Sequence, residues 1–505
     1  MKRFRCIGPM SLCLVLLFSL LSYGKAEGSP NSAAGNYQEK IVIGTPLDVT
    51  TTDPQGSNTD SNMILFCMTH ETLVDLDPKT GKVVAGLAEY EIVDGLTFKF
   101  KLPKNATFTN GMPCTANDVK FTYDRALKSS FTKPKLTLIK NIKVVNNQEL
   151  IITITQPSQE FLMNLAHRSL SILSEAAIKA NEKSYDIGTG NYFLKEWIPG
   201  DHLTVEYYKN YRKGQAKTKN VEFRLMKEDS ARVIALQTGE IDVCIDPPSV
   251  ELAYIANDKK LSLIQVPNVI MLYIAMNNAK APFDKLKVRQ ALAYAVDKEK
   301  LIQAGYNGQG TVHNNFINRG QFGLDNKLTG YGINIEKAKA LLAEAGYPNG
   351  FEFELAYNGS VKALIATVLQ EDFAKIGVKV KLAEMESAAL KSMLNEKKHI
   401  AALYQWTDAD GTDFTVRSMY YSGSGSNRSL IADKKLDKMI DEALVEADNA
   451  KRAEEYHLIE KYLKDLCPII PICTSIINVG TKASVKDVIW MSTAKHDYSN
   501  IFISK

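Results

Sequence analysis

The sequence has little of what marks a metalloenzyme, a hydrolase or a nucleic-acid-binding protein. Its seven histidines are scattered over 505 residues, and none are spaced as in a local metal motif. No Gly-x-Ser-x-Gly, no Ser-x-x-Lys with its partner motifs and no His-Glu-x-x-His occurs. The net charge is only +4 and the basic residues are dispersed, which argues against nucleic acid as a partner. We expect a protein that is not an enzyme and holds no metal or cofactor.

Two alternatives remain open at this point. Scattered histidines can converge in space, so a nickel, metallophore or haem site through His70 or His167 is one alternative. An exported hydrolase with a nucleophile and base far apart in sequence is the other. Cysteine does not decide between them, because five cysteines follow residue 26 and their pairing cannot be read from spacing.

Long apolar runs are absent after the first 26 residues, and no later segment is apolar enough to span a bilayer. At the start, basic residues precede an apolar run densest at residues 12–21, and Gly24 and Ala26 form a small-x-small cleavage site. Cys13 lacks the small neighbours of a lipid-attachment site. We expect residues 1–26 to be a cleaved signal peptide and the protein to be periplasmic rather than a lipoprotein.

The remaining chain, roughly 480 residues, is too long for one hydrophobic core and predicts two or more domains. Period-two alternation predicts strands at residues 96–102 and 150–155, and Thr115 is a plausible N-cap. Helical spacing predicts one helix at residues 288–304 and a long region at 436–466 that breaks near Asp448. Helices alternating with short strands indicate an α/β protein.

The one concentrated polar feature is the loop after Trp406, which contains Asp408, Asp410 and Asp413. As a calcium loop it lacks the closing glutamate, and as a plain surface turn it would be unremarkable. As a ligand site it offers an aromatic side chain beside carboxylates that could pair with an ammonium group. An apolar strand leads into it, and ligands of α/β sheets gather at such strand ends, which favours the third interpretation.

Six short blocks occur in a fixed order along the chain. They lie at residues 53–54 with 70–74 and 86–88, at 94–102, at 108–119, at 188–201, at 238–242 and at 282–297. The most specific runs Asp94-Gly-Leu-Thr-Phe-Lys-Phe-Lys-Leu102 and continues to Asn110-Gly111 and Asp118-Val119. In order and spacing the blocks resemble the family 5 extracellular solute-binding proteins, the oligopeptide, dipeptide, glutathione and nickel receptors of ABC importers.

The resemblance implies an α/β, two-lobed periplasmic-binding-protein fold, the large three-subdomain variant of type II, with a cleft between the lobes. Residues 27–275 and 475–505 would form lobe I, with an inserted subdomain at about 58–185, and residues 276–474 would form lobe II. The implied function is capture of a short peptide, dipeptide, oligopeptide or glutathione-like, by lobe closure. The implied partners are that ligand and a membrane permease, with the receptor itself a monomer.

The resemblance also implies a ligand site in the loop after Trp406. In dipeptide and oligopeptide receptors an aspartate three residues after the tryptophan holds the ligand's amino group, whereas here that position is Ala409. The flanking Asp410 and Asp408 are therefore the candidates, with Asp410 ranked first. The dipeptide receptors' carboxylate-binding arginine has only Lys362 near its position, so Arg417 is predicted instead. The predicted ligand-binding residues are Asp410, Asp408, Trp406, Asp413, Arg417 and Tyr404.

Overall fold

The computed structural model describes residues 37–56, 60–78, 81–129, 131–158, 160–406, 411–490 and 496–504. The predicted signal peptide, residues 1–26, lies outside the described residues, and so do Asp408 and Asp410. None of the helices in the described ranges has both the length and the apolar character that a membrane span requires.

Strands in the described ranges are mostly short, with two long exceptions. In chain order they are β1 (Lys40–Thr45), β2 (Val74–Leu76), β3 (Val83–Ala85), β4 (Glu89–Ile92), β5 (Thr97–Lys101), β6 (Ile139–Val144), β7 (Glu149–Ile154), β8 (Tyr192–Ile198), β9 (His202–Tyr207), β10 (Asn220–Leu225), β11 (Val243–Ile245), β12 (Leu261–Met276), β13 (Gly310–Val312), β14 (Glu352–Tyr357), β15 (Lys379–Glu384), β16 (Ala401–Trp406), β17 (Ile469–Lys482), β18 (Val485–Lys486), β19 (Ile489–Trp490), β20 (His496–Asp497) and β21 (Phe502–Ile503).

Helices become longer toward the C-terminal half of the chain. They are α1 (Asp60–Thr69), α2 (Ala116–Ala126), α3 (Lys133–Leu136), α4 (Phe161–Leu165), α5 (Glu175–Ala180), α6 (Asp229–Thr238), α7 (Leu252–Asn257), α8 (Leu286–Ala295), α9 (Lys298–Tyr306), α10 (Ile335–Glu344), α11 (Ser360–Ala374), α12 (Ser387–Asn395), α13 (Thr412–Tyr420), α14 (Lys434–Val445) and α15 (Asn449–Leu466).

Capping side chains set several helix starts. Helix α2 begins directly after Thr115, as predicted, and the Asp118 carboxylate accepts hydrogen bonds from the Thr115 N–H and hydroxyl, both at 2.8 Å. Asp448 accepts from two N–H groups at the start of α15, which confirms the predicted break near that residue. The prediction of one helix at residues 288–304 is wrong. Asp297 caps a new helix there by accepting from the Lys300 N–H, so α8 and α9 are separate.

One large mixed sheet connects most of the described chain. Its strands are ordered β15-β14-β16-β12-β17-β11-β1-β10-β9-β8, and β13 pairs with β17. Side chains alternate across β12. Leu272 and Ile274 join the hydrophobic cluster on one face, whereas Met271 and Tyr273 join the cluster on the other. Apolar side chains therefore cover the sheet on both faces at β12.

The two long central strands, β12 and β17, pair with each other in antiparallel orientation. The first half of β12 pairs with the second half of β17, from Leu261↔Lys482 to Pro267↔Ile476. Pairing resumes at Met271↔Thr474 after a register shift. Strand β11 lies beside β17 and β1 lies beside β11, whereas β16 lies beside β12 on the other side. The lobe boundaries near residues 275 and 475 fall on these two strands and stay predictions.

A separate four-stranded sheet, β4-β5-β7-β6, carries its own hydrophobic cluster. Phe98 and Phe100 of β5 and Phe161 of α4 are buried in it. The strands predicted at residues 96–102 and 150–155 are confirmed as β5 and β7 of this sheet. Cys67, Cys114, Cys244, Cys467 and Cys473 are all buried in the described ranges.

Candidate ligand-binding site

Three parallel strands end at the same edge of the large sheet. Strand β14 pairs in parallel with both β15 and β16, and Tyr357 at the end of β14 lies opposite Glu384 at the end of β15. The last residue of β16 is Trp406, which pairs across to Met271 of β12. Carboxyl ends of parallel strands are the usual place for ligands in α/β sheets. The loop predicted from sequence to bind ligand leaves from this edge.

Two predicted aromatic residues stand at the end of β16. Tyr404 and Trp406 are both half-buried. The ring of Tyr404 makes an edge contact with Tyr273, with centroids 6.5 Å apart. The Trp406 indole N–H donates to the Thr415 hydroxyl at 3.2 Å, and its ring centroid lies 6.3 Å from that of Phe414. Helix α13 thus fixes the orientation of Trp406.

Asp413 lies in the first turn of α13 and is buried, with 6% of its surface exposed. One carboxylate oxygen accepts a 2.6 Å hydrogen bond from the guanidinium of Arg452, on α15. Its other oxygen, Oδ1, is buried without a hydrogen-bond partner among the described residues. Burial raises the pKa of Asp413, and the charge of Arg452 opposes that rise. Asp413 is therefore anchored inside the protein.

Glu160 joins this pair from a distant part of the chain and was not predicted. Its carboxylate accepts hydrogen bonds from the N–H groups of Asp413, at 2.7 Å, and Phe414, at 3.3 Å. The Arg452 guanidinium stands 3.7 Å away. Burial, and then the charge of Asp413, raise the pKa of Glu160, whereas the hydrogen bonds from the Asp413 and Phe414 N–H groups and the charge of Arg452 oppose that rise. No local pattern could have indicated this role, because 253 residues separate Glu160 from Asp413.

The two cations near the site differ in their partners. Arg417 donates to Asp441 at 2.8 Å and stacks over the Tyr421 ring. Lys362, in the first turn of α11, is half-buried, and burial lowers the pKa of its amine. Lys362 donates to the Asn358 side chain at 3.4 Å but makes no ion pair within the described ranges. Of the two, Lys362 is the cation that has no carboxylate partner among the described residues.

The histidines considered for a metal or haem already have protein partners. His70 is buried, and its ring nitrogens contact the Thr69 hydroxyl at 2.8 Å and the Tyr185 carbonyl at 3.0 Å. Burial lowers the pKa of His70 to about 4. His167 contacts the Ser169 hydroxyl at 2.7 Å. Across the described ranges, no three His, Cys, Asp or Glu side chains are grouped so that they could hold a metal ion.

Comparison with known proteins identifies the family. Residues 82–428 match the bacterial extracellular solute-binding proteins, family 5 Middle. The chain belongs to this family. Its members are binding proteins rather than enzymes, and they act outside the cytoplasm.

Two curated relatives and one solved structure show how far the similarity extends. The dipeptide-binding protein of Escherichia coli K12 is 29% identical over 86% of this chain and 89% of its own length. Heme-binding protein A of Haemophilus influenzae is also 29% identical, over 81% and 82%. The structure of HbpA2 from Haemophilus parasuis superposes with a TM-score of 0.82 at 28% identity, covering 92% of this chain and all of that one. The fold is the two-lobed, type II periplasmic-binding-protein fold, with a cleft between the lobes, as predicted.

Proposed function

We propose that this protein is the substrate-binding component of an ABC importer and captures a short peptide by closing its lobes. The observation that carries the proposal is the sheet edge at Tyr357, Glu384 and Trp406, where an aromatic residue precedes a loop rich in aspartate. The similarity to a dipeptide-binding protein over most of both chains supports a peptide as the ligand. A glutathione-like peptide belongs to the same chemical class.

Capture requires opposite charges for the two ends of a peptide. Asp410 or Asp408 would neutralise the ligand's ammonium group, and Trp406 and Tyr404 would pack against the peptide. Lys362 and Arg417 are the cations available for the ligand's carboxylate. Isolated charges are costly to bury, so Lys362 and the loop aspartate would be neutralised by the ligand when the cleft closes over it. Arg417 already pairs with Asp441 and would have to share or exchange that partner. Binding of this kind involves no covalent step, and the protein is not an enzyme.

The proposal includes where the protein works. Residues 1–26 direct export and are removed, which places the mature chain in the periplasm. Residues 27–275 and 475–505 form lobe I, with the subdomain at 58–185, and residues 276–474 form lobe II. The receptor is a monomer that delivers its ligand to a membrane permease and does not bind nucleic acid. The family's extracellular role supports this assignment.

A haem receptor is the second candidate, because heme-binding protein A is as similar in sequence as the dipeptide receptor. Against it stands the arrangement of His70, whose ring nitrogens both contact protein groups. A haem site would have to use other residues or a different arrangement of the His70 region.

Mass spectrometry of whatever co-purifies with the protein distinguishes these candidates. The mature chain is purified without a ligand wash, denatured gently, and its small molecules are identified. A mixture of short peptides is the expected result. Calorimetry with dipeptides, glutathione and haem follows, using the wild type and the variants Asp410→Asn and Asp408→Asn. Recovery of haem without peptide would contradict the proposed function. If neither variant reduces the affinity for peptide, the assignment of Asp410 or Asp408 to the ligand's amino group is wrong.

A further inference from the structure

Glu160 lies between two parts of the molecule that pack separately. It immediately precedes α4, whose Phe161, Leu162 and Leu165 belong to the hydrophobic cluster of the four-stranded sheet. Its hydrogen-bond partners start α13, whose Val416 and Met419 belong to the cluster on one face of β12. Lys135 of α3 makes a second contact between these parts, with its amine 5.8 Å from the Phe414 ring centroid.

The contact is buried, charged and directed. The Glu160 side chain is 8% exposed, and its two oxygens accept from the first N–H groups of α13, which have no partner inside the helix. A carboxylate at a helix N-terminus is also favoured by the helix dipole. Arg452 balances part of the negative charge of Glu160 and Asp413. Glu160 thus caps a helix that belongs to another part of the fold.

The residue at the N-cap of α13 leaves room for this contact. Gly411 has φ −61° and ψ 168°, a conformation that any residue adopts, so its backbone does not require glycine. A Cβ built on Gly411 would overlap the carboxylate of Glu160. Glycine also has no side chain with which to cap the helix itself. The Glu160 carboxylate therefore occupies the space that a side chain at position 411 would fill.

We propose that Glu160 is a latch that holds the four-stranded-sheet part of lobe I against α13 of lobe II and closes the cleft without needing a ligand. The latch follows from the contact itself, whereas its effect on ligand capture rests on the proposed function. A receptor that already populates its closed arrangement binds ligand more tightly than one that must first close, because apparent affinity scales with the competent fraction. Glu160 is therefore a positioning residue for the ligand site.

Hydrogen exchange and X-ray scattering of the unliganded protein test the latch. In Glu160→Gln and Glu160→Ala, exchange at the amides of Asp413 and Phe414 should accelerate about tenfold or more, as expected for loss of a charged acceptor. The radius of gyration should increase. Glu175→Gln removes a carboxylate from the same part of the chain, where it pairs with Lys179, and should change neither measurement. Unchanged exchange and radius in both Glu160 variants would overturn the latch.

A double-mutant cycle with Gly411 separates the latch from general destabilisation. Gly411→Ala should reproduce the faster exchange and the larger radius, because its methyl group displaces the Glu160 carboxylate. Adding Gly411→Ala to Glu160→Ala should have no further effect, since the overlap no longer exists. If the effects of the two substitutions on exchange rate and radius of gyration are additive, the latch is contradicted. These measurements use no ligand, so they can succeed even when the calorimetry rejects a peptide, and the two proposals fail independently.

Discussion

The guanidinium of Arg452 donates a 2.6 Å hydrogen bond to the carboxylate of Asp413, and both side chains are buried. The bond ties α15 to the first turn of α13, the helix that follows the predicted ligand loop. Arg452 also lies 4.9 Å over the ring of Phe322, so aromatic packing shields the pair from water. The same guanidinium is the nearest cation to Glu160 in the described ranges. One arginine therefore supports two buried carboxylates.

Replacing that arginine should destabilise the fold strongly. Arg452→Met leaves Asp413 and Glu160 buried without a cation, a change that typically costs about 3–5 kcal/mol. Urea unfolding followed by circular dichroism gives the free energy of unfolding. Arg417→Met is the matched control, because its pair with Asp441 is largely exposed and such pairs contribute about 0–1 kcal/mol. Equal losses of unfolding free energy in the two variants would show that the buried pair contributes no more to stability than the exposed one.

Lys362 and Arg417 should differ in their effect on ligands with a free carboxylate. We expect Lys362→Met to weaken binding of a free dipeptide about tenfold or more, the scale of one charged hydrogen bond. Binding of the C-terminally amidated dipeptide should change little. Arg417→Met should have a smaller effect, since Arg417 already pairs with Asp441. Calorimetry with both peptides measures these affinities. A larger loss in Arg417→Met than in Lys362→Met would mean that Arg417 binds the ligand's carboxylate.

His313 should make the protein acid-sensitive. Burial lowers its pKa from 6.5 to about 4, and its ring nitrogen contacts the Ile317 carbonyl at 2.9 Å. The unfolded chain therefore takes up a proton before the native protein does. The contribution of His313 is present above pH 6.5 and is lost as pH falls through 4, on the order of 3 kcal/mol in total.

His313→Gln keeps a donor for the Ile317 carbonyl and should flatten the fall in melting temperature between pH 6.5 and 4. His202→Asn is the control. The pKa of His202 is raised, chiefly by its hydrogen bond to Asp201, so His202 cannot account for a loss on the acid side. An unchanged profile in His313→Gln would mean that this histidine is not the sensitive group.

Much of the fold could be predicted because its signals are local. Period-two alternation placed β5 and β7, and a capping aspartate placed the break before α15. The same rule explains the one wrong helix, since Asp297 was a cap inside a continuous apolar pattern. The family blocks predicted the two-lobed fold, which the comparisons confirm. The residues predicted for the ligand site stay predictions, and two of them lie outside the described ranges.

By itself the sequence determined two strands of the four-stranded sheet, the start of α2, the break before α15 and the family, because each depends on neighbours within a few residues or on ordered short motifs. Only the tertiary structure placed Glu160 against α13, paired Arg452 with Asp413 and gave Lys362 no ion pair within the part of the chain that is described. Those relationships join residues that are far apart in the chain, where neither periodicity nor spacing carries information. Which of these charges face each other is decided by how the two parts of the fold pack.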